Sequence, residues 1–466
     1  MWRRAVRNGS VKSDALRVVQ AMDLHHRELI HHSVRYSFSM LLRFGIVALA
    51  AASAGAANLT PSERQANIDS FEYVWKTVRD RHWEARPSGL DWQAVHDELR
   101  PRVEKAASTA EAREVIAGML DRLHQTHFGV FPSEVYKEFD SPGAADGETG
   151  IDVRVLEGHA IVTGVDPNSP AASKGVKPGW EIVRIAGRDL APALERVTAS
   201  FRDSTLLDLR LTRAVLGRLD GTSGKPVEVE FLDGADHKKT VRLDRAMPRG
   251  ALVRLGSFPT FYFWQESKMV RPDVAYIRFN AFFDPDNLTK AFGTLVKGCG
   301  SCSGFVVDLR GNPGGLGVLA MGVGGWFVDK SGLQLGSMFM KDTTLNFVLF
   351  PRPGPFRGPL AVLVDGCSAS TSEIFAGGMK DIHRARIFGT RTAAAALPST
   401  FEMLPNGDGF QYAIANYISQ GGRPLEGIGV IPDEEVKPTR RQLLDGHDPA
   451  LEAALRWIDQ KKRSER

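Results

Sequence analysis

Phe305-Val306-Val307-Asp308-Leu309-Arg310-Gly311-Asn312-Pro313-Gly314-Gly315 is the stretch that sets the architecture. Its first five residues are apolar but for Asp308, the pattern of a strand covered on both faces. A glycine-rich turn follows, then a helix-like segment from Leu316. A strand, turn and helix in that order present backbone N–H groups at a helix N-terminus, where a developing negative charge is stabilised. A phosphate loop has the same outline, but no Gly-Lys-Ser/Thr follows, so nucleotide binding is not supported. Downstream the plan repeats. Leu360 to Val364 reads as a second buried strand, and Asp365 to Phe375 runs into a helix. Ser370-Thr371-Ser372-Glu373 is a capping box. Read alone, Ser370 is an N-cap as readily as a nucleophile at a strand-to-helix turn.

Upstream, the period of the apolar residues changes twice. Residues 274–280 read as a strand. Between Ile151 and Leu243 the pattern is of short strands: Ile151, Val153 and Val155 alternate, Ala160 to Val165 and Glu181 to Ile185 follow, and Val227, Val229 and Phe231 alternate again. Asn168-Ser169-Pro170 starts a short helix between them. From about 60 to 125 the spacing is helical. Thr60-Pro61-Ser62-Glu63 and Ser108-Thr109-Ala110-Glu111 are capping boxes. Ile68, Phe71, Trp75 and Val78 share one helix face; Trp92, Val95 and Leu99 share a second. Val115, Ile116, Met119, Leu120 and Leu123 share a third. That region ends in Leu123-His124-Gln125-Thr126-His127.

Ser169 to Gly187 (S-P-A-A-x-x-G-V-x-P-G-x-x-I-V-x-I-x-G) resembles a PDZ domain. Such domains take up a peptide as an added strand and hold its terminal carboxylate in a loop of backbone N–H groups. The resemblance puts Gly150 and Ile151 at that loop. Trp180 stands where Asp or Gln is usual, which implies a more apolar surface there. Asp308–Gly315, Ser368–Asp381 and Gly422–Asp433 (G-R-P-L-E-G-I-G-V-I-P-D) are similar to the motifs of the tail-specific, or C-terminal processing, proteases, and they occur in that family's order. The resemblance implies an α/β, ClpP/crotonase-like core with an N-terminal helical segment and an inserted PDZ domain. The corresponding boundaries are 58–133 for the helical segment, 146–247 for the PDZ-like domain, 252–440 for the peptidase core and 441–466 for a C-terminal helix.

The same resemblance assigns Ser370 as nucleophile. The N–H groups of Thr371 and of Gly314 or Gly315 would then serve the oxyanion. Many members use a lysine base, but Ala395 stands at that position in Thr392-Ala393-Ala394-Ala395-Ala396, and a methyl group takes no proton. Lys380 has no spacing in its favour. A second branch, that of the tricorn core protease, uses a histidine after the helical segment. L-H-Q-T-H-F-G-V is similar to that motif, which implies His127 as base with Thr126 and Glu426 as polar partners. His124 is a rival, and a lone histidine after a helix is commonly a structural residue. Two classes of function follow: a serine endopeptidase acting on protein or peptide substrates, chiefly through their C-terminal segment, or a catalytically inactive peptide- or ligand-binding protein on the same fold.

Composition narrows the remaining classes. The chain has 466 residues, enough for about three domains, with 43% hydrophobic and 24% charged residues, a globular balance. The net charge of +4 is uneven: residues 1–57 carry eight Lys/Arg against three Asp/Glu, so the rest is close to neutral and no nucleic-acid partner is implied. Met40 to Ala56 (MLLRFGIVALAAASAGA) has Arg43, an apolar stretch from Phe44 to Ala52, and small residues at Ala54-Gly55-Ala56, as an export signal does. Cleavage near Ala56 or Ala57, with Met40 as the start, is the expectation, giving a periplasmic or secreted protein. No apolar run is long enough for a stable membrane span. Cys299 and Cys302 form a C-x-x-C that an oxidising compartment could close, and no metal or other cofactor is implied.

Overall fold

A computed structural model describes residues 59–132, 147–253 and 261–464. The leader and the Met40 start lie outside these residues. Three units pack together, each with its own apolar core.

The first unit is helical. Pro61–Arg81 starts on the Thr60 cap, whose side chain accepts the Glu63 N–H, with Pro61 in the first turn. Trp92–Lys105 is capped by Asp91 and Thr109–Asp121 by Ser108. The faces foreseen from the spacing meet: Phe71, Trp75, Val78, Val95, Leu99, Val115, Ile116 and Met119 share one core. Trp75 and Trp92 cross-link it, each indole N–H donating to the other residue's carbonyl at 2.9 and 3.0 Å. The chain leaves this unit through strand Gly129–Phe131, which pairs antiparallel with Gly409–Ala413. That pairing fastens the segment carrying Thr126 and His127 to the third unit.

The second unit spans the PDZ-like block. Its sheet runs in the order Ile151–Leu156, His159–Val165, Glu181–Ile185, Pro226–Leu232, Lys238–Asp244, all antiparallel, with Arg188–Asp189 at the side. Ser169 caps the short helix Pro170–Ser173. Trp180 is buried, edge-on to Phe231, so the expected apolar surface is core instead. Two helices, Ala191–Phe201 and Leu207–Leu219, were not foreseen; neither has a side-chain cap to announce it. Strand Ile151–Leu156 forms the sheet edge beside helix Leu207–Leu219.

The third unit carries a six-stranded sheet in the order Gln265–Arg271, Val274–Phe279, Gly304–Asp308, Leu360–Val364, Arg386–Gly389, Glu434–Glu435. The first pair is antiparallel and the rest parallel. Helices Pro285–Gly298, Gly317–Gly324 and Thr371–Asp381 cover one face over an aromatic core, in which Phe279, Phe282, Phe292, Phe305 and Phe327 are fully buried. Helix Pro449–Ser464 covers the other face through Ala453, Ala454 and Ile458. Asp308 pairs in register with Leu363, so the two neighbouring strands end together. Their following turns, 309–316 and 365–370, therefore sit side by side at the carboxyl ends of parallel strands, where α/β folds place their sites.

A chain of ion pairs ties the second unit to these turns. Arg278 reaches Asp152 at 2.7 Å, Asp152 reaches Arg154 at 2.6 Å, and Arg154 reaches Asp365 at 2.7 Å. Asp365 in turn accepts the N–H groups of Gly311 and Cys367. Burial alone would raise the Asp152 carboxyl, but Arg154 and Arg278 beside it hold it well below the usual carboxylate range. Cys299 and Cys302 are joined by a disulfide at the end of helix Pro285–Gly298. In the segment 333–359, Phe347 and Phe356 are core residues, whereas Phe350 is 67% exposed.

Candidate active site

Ser370 ends the turn after strand Leu360–Val364 and starts helix Thr371–Asp381. Its backbone sits at φ 54°, ψ −118°, a region that side chains other than glycine rarely occupy. Three contacts hold it there. The Ser370 N–H donates to the Ala395 carbonyl at 2.8 Å and to the Glu373 carboxylate at 3.0 Å, and the Ser370 carbonyl accepts from Glu373 N–H at 2.8 Å. Ser370 and Glu373 thus form the expected capping box. A non-glycine residue held at positive φ nevertheless departs from an ordinary N-cap, and such strain collects at functional positions.

The glycine turn packs against this residue. A Cβ on Gly314 would lie 2.7 Å from Thr371 N and 2.8 Å from Ser370 Cβ, so only glycine fits there. The Gly314 N–H is taken by the Asn312 side-chain oxygen at 2.9 Å, so of the two glycines named from the sequence it is Gly314 whose N–H is already engaged. The peptide between them is fixed by Phe282 N–H donating to the Gly314 carbonyl, and Thr371 Oγ1 donates to the Gly315 carbonyl at 2.7 Å. Asn312, fully buried, organises the turn: its amide donates to Phe279, and its oxygens accept from Gly314, Ala369 and Ser372. Sequence reasoning missed this role, although the Asn-Pro-Gly-Gly motif itself drew attention.

Glu373 is the second organiser that was missed. Its buried carboxylate accepts from Thr392 Oγ1 and from the N–H groups of Ser370, Ala394 and Ala395. Burial pushes its carboxyl up to about 7 against these hydrogen bonds, which pull it down. Ala393 to Ala396 therefore act through their backbone.

His127 follows the helical unit at φ 62° and is buried, while the rival His124 is exposed. His127 Nδ1 lies 2.6 Å from Thr126 Oγ1. Thr126 Oγ1 lies 2.9 Å from Glu426 Oε2, and Thr126 N–H donates to Glu426 Oε1 at 2.6 Å. Glu426 Oε2 also accepts from Ala396 N–H at 3.0 Å. An ionised Glu426 can only accept, so the single Thr126 hydroxyl proton goes to it. The hydroxyl oxygen then accepts from Nδ1–H, which leaves Nε2 as the proton acceptor of the ring. Burial, and then the nearby Arg213 charge, push the His127 imidazole down to about 4. Burial pushes the Glu426 carboxyl up, against the N–H groups of Thr126 and Ala396.

The alanine segment joins the two halves. One residue, Ala395, receives the Ser370 N–H; the next, Ala396, donates to the carboxylate that holds Thr126 and so His127. Lys380 is elsewhere. It lies at the far end of the Thr371–Asp381 helix, about 15 Å along the axis from Ser370, with its ammonium bound to the Ile431 carbonyl and Asp433. Gly150, at φ 77°, fits the strand-edge turn: a Cβ there would overlap Ser169, and Ile151 opens the edge strand.

Residues 273–436 match the family model described as peptidase family S41, and residues 65–121 the one described as the tricorn protease C1 domain. The chain is 27% identical over 353 residues to a carboxy-terminal-processing protease of Bartonella bacilliformis, covering 73% of each chain. It is 24% identical over 387 residues to a carboxyl-terminal-processing protease of a Picosynechococcus species, covering 79% of this chain and 83% of the relative. Among solved structures, the photosystem II D1 C-terminal processing protease matches with a TM-score of 0.54 at 21% identity, over 84% of this chain and 99% of that one. Mature CPAF matches with a TM-score of 0.57 at 13% identity, over 85% and 96%. What each of these two structures shares with this chain is the fold.

Proposed function

The chain is a serine peptidase of family S41, related to carboxyl-terminal-processing proteases, and from that premise we propose an exported endopeptidase in which Ser370 is the nucleophile and His127 the base. The observation that carries this reading is the relay from His127 through Thr126 and Glu426 to Ala396, one residue from the carbonyl that holds Ser370. Ser370 Oγ attacks the scissile carbonyl carbon while His127 Nε2 takes its proton. The carbonyl π electrons move to oxygen, which receives the N–H groups of Gly315 and Thr371. The oxyanion then collapses, the C–N bond breaks, and the departing nitrogen takes the proton from His127. Water, deprotonated by the same imidazole, cleaves the ester and restores both groups.

Residues 146–247 act as a PDZ domain, with Gly150 and Ile151 opening the edge strand that receives a substrate's C-terminal segment. Residues 58–133 supply the base and 252–440 the nucleophile. Export rests on the Met40–Ala56 signal, with the Cys299–Cys302 disulfide in support.

The test is hydrolysis of an unfolded protein by the mature chain, followed by gel, with fluorophosphonate labelling in parallel. Wild type degrades and labels; Ser370→Ala and His127→Ala do neither. Labelling that persists in both variants overturns the assignment. Peptide binding without hydrolysis by wild type would favour the inactive binding protein.

A further inference from the structure

The loop that carries Thr126 and His127 holds two residues other than glycine at positive φ, His124 at 51° and His127 at 62°. Such conformations persist only where the surroundings fix them. Glu426 fixes Thr126 through its N–H and its hydroxyl. The flanking residues are fixed from another direction, by segment 82–88, which follows helix Pro61–Arg81. Ser88 Oγ donates to the Leu123 carbonyl at 2.7 Å. His82 is only 1% exposed, and its Nε2 lies 3.0 Å from Gln125 Oε1. The same ring lies nearly parallel to that of Phe128, with centroids 6.1 Å apart. One buried side chain therefore touches the residue two before His127 and the residue just after it.

The hydrogen bonds also fix the His82 proton. Glu84 N–H donates to His82 Nδ1 at 3.0 Å, so Nδ1 carries no proton and Nε2–H is the donor to Gln125. Burial favours that neutral ring by lowering its pKa, against the pull of the nearby Glu84 charge. Trp83 stacks on the ring at 3.9 Å, and the His82 N–H donates to the Val78 carbonyl at the end of the helix. The imidazole is thus a fixed strut between the helical unit and the loop of the base.

We propose that His82 is a positioning residue for the reaction at Ser370, acting through His127 by holding Gln125 and Phe128 on either side of it. This rests on the peptidase reading above. His127 Nε2 has to meet the Ser370 hydroxyl within hydrogen-bond reach, and a misplacement of about 1 Å costs on the order of 100-fold in rate. Thr126 and Glu426 set the tautomer of the His127 ring. His82 sets the loop's place, so that it does not rock about its anchor at Thr126.

The test uses two substitutions that divide the imidazole between them. His82→Asn keeps an acceptor near the Nδ1 position for Glu84 N–H and is too short to reach Gln125. His82→Gln places a donor near the Nε2 position. The mature protein is assayed for kcat and KM on a peptide and for its second-order rate of inactivation by a small fluorophosphonate, with thermal melts alongside. His82→Asn lowers kcat and the inactivation rate about 10- to 100-fold with KM within about twofold, and His82→Gln stays within about fivefold of wild type. Gln125→Met repeats the loss, and the two losses do not multiply in the double variant. On a His127→Ala background, His82→Asn changes the inactivation rate by less than about twofold, because its effect runs through the base. A folded His82→Asn protein within about threefold of wild type overturns the proposal. So do equal losses in the Asn and Gln variants, or a full loss that persists without His127. If the His82 variants do not fold, Gln125→Met decides alone, and a rate within about threefold of wild type overturns the proposal. A His127→Ala protein that reacts as fast as wild type contradicts the base assignment itself; an inert His127→Ala protein beside an unaffected His82→Asn contradicts only the positioning role.

Discussion

Glu426→Gln is the substitution that interrogates the relay most closely, because it changes almost no volume. The carboxylate accepts three hydrogen bonds, from Thr126 N–H, Thr126 Oγ1 and Ala396 N–H, at 2.6, 2.9 and 3.0 Å. Glutamine offers one acceptor oxygen and one NH2 group. With the NH2 at the Oε1 position, it meets the Thr126 N–H head-on. With the NH2 at the Oε2 position, it opposes Ala396 N–H and donates to Thr126 Oγ1. The threonine hydroxyl must then donate to His127 Nδ1, the proton moves to Nε2, and the ring cannot take the Ser370 proton in the way the proposed mechanism requires. Hydrogen bonds to charged groups contribute roughly 1.5–3 kcal/mol each. Losing one and replacing it by an opposed pair costs about 3–4 kcal/mol, so kcat/KM falls about 10²- to 10³-fold. The assay is peptide hydrolysis at pH 7.5, with thermal melts to show that the fold persists and Thr126→Ser as a control that keeps the hydroxyl and stays within about fivefold. A Glu426→Gln enzyme within threefold of wild type would refute the relay.

Gly314→Ala drives a methyl into Thr371 N and Ser370 Cβ at a φ of 102°, so turnover drops at least about 100-fold, checked by the same assay alongside an unfolding curve. Ser370→Gly, equally inactive, relieves the positive φ and is more stable than Ser370→Ala by about 1–2 kcal/mol in urea unfolding. The acid limb of kcat/KM lies near pH 4 and not near 6.5: the neutral imidazole is the active form, burial and Arg213 lower its pKa, and activity is lost only as pH falls through that value. Arg213→Gln removes one of the two causes and moves the limb upward, which a pH–rate profile from 3.5 to 8 reads directly.

The strands and their order of chemistry were legible because their causes are local. Gly304–Asp308 and Leu360–Val364 announce burial on both faces by unbroken apolar runs, and Thr60, Ser108 and Ser169 announce helix starts by their caps. Helices Ala191–Phe201 and Leu207–Leu219 lack such caps, and the apolar residues of the second divide between two cores, which blurs its period. Gly314 was foreseen as an alternative oxyanion donor, but whether its N–H is free depends on where the Asn312 side chain folds back, which spacing does not encode. Glu373 was read as a cap partner and is that, yet its larger role is to bind the 394–395 backbone, twenty-one residues on in the chain.

In the proposed mechanism an imidazole activates a hydroxyl supplied by a distant part of the chain. The second-order rate of inactivation by a small fluorophosphonate, wild type against His127→Ala, measures that activation without any dependence on substrate choice. A fall of at least about 10³-fold, with the adduct in wild type mapped to Ser370 by mass spectrometry, is what the relay predicts. Equal rates in the two proteins, or an adduct on another residue, would contradict it.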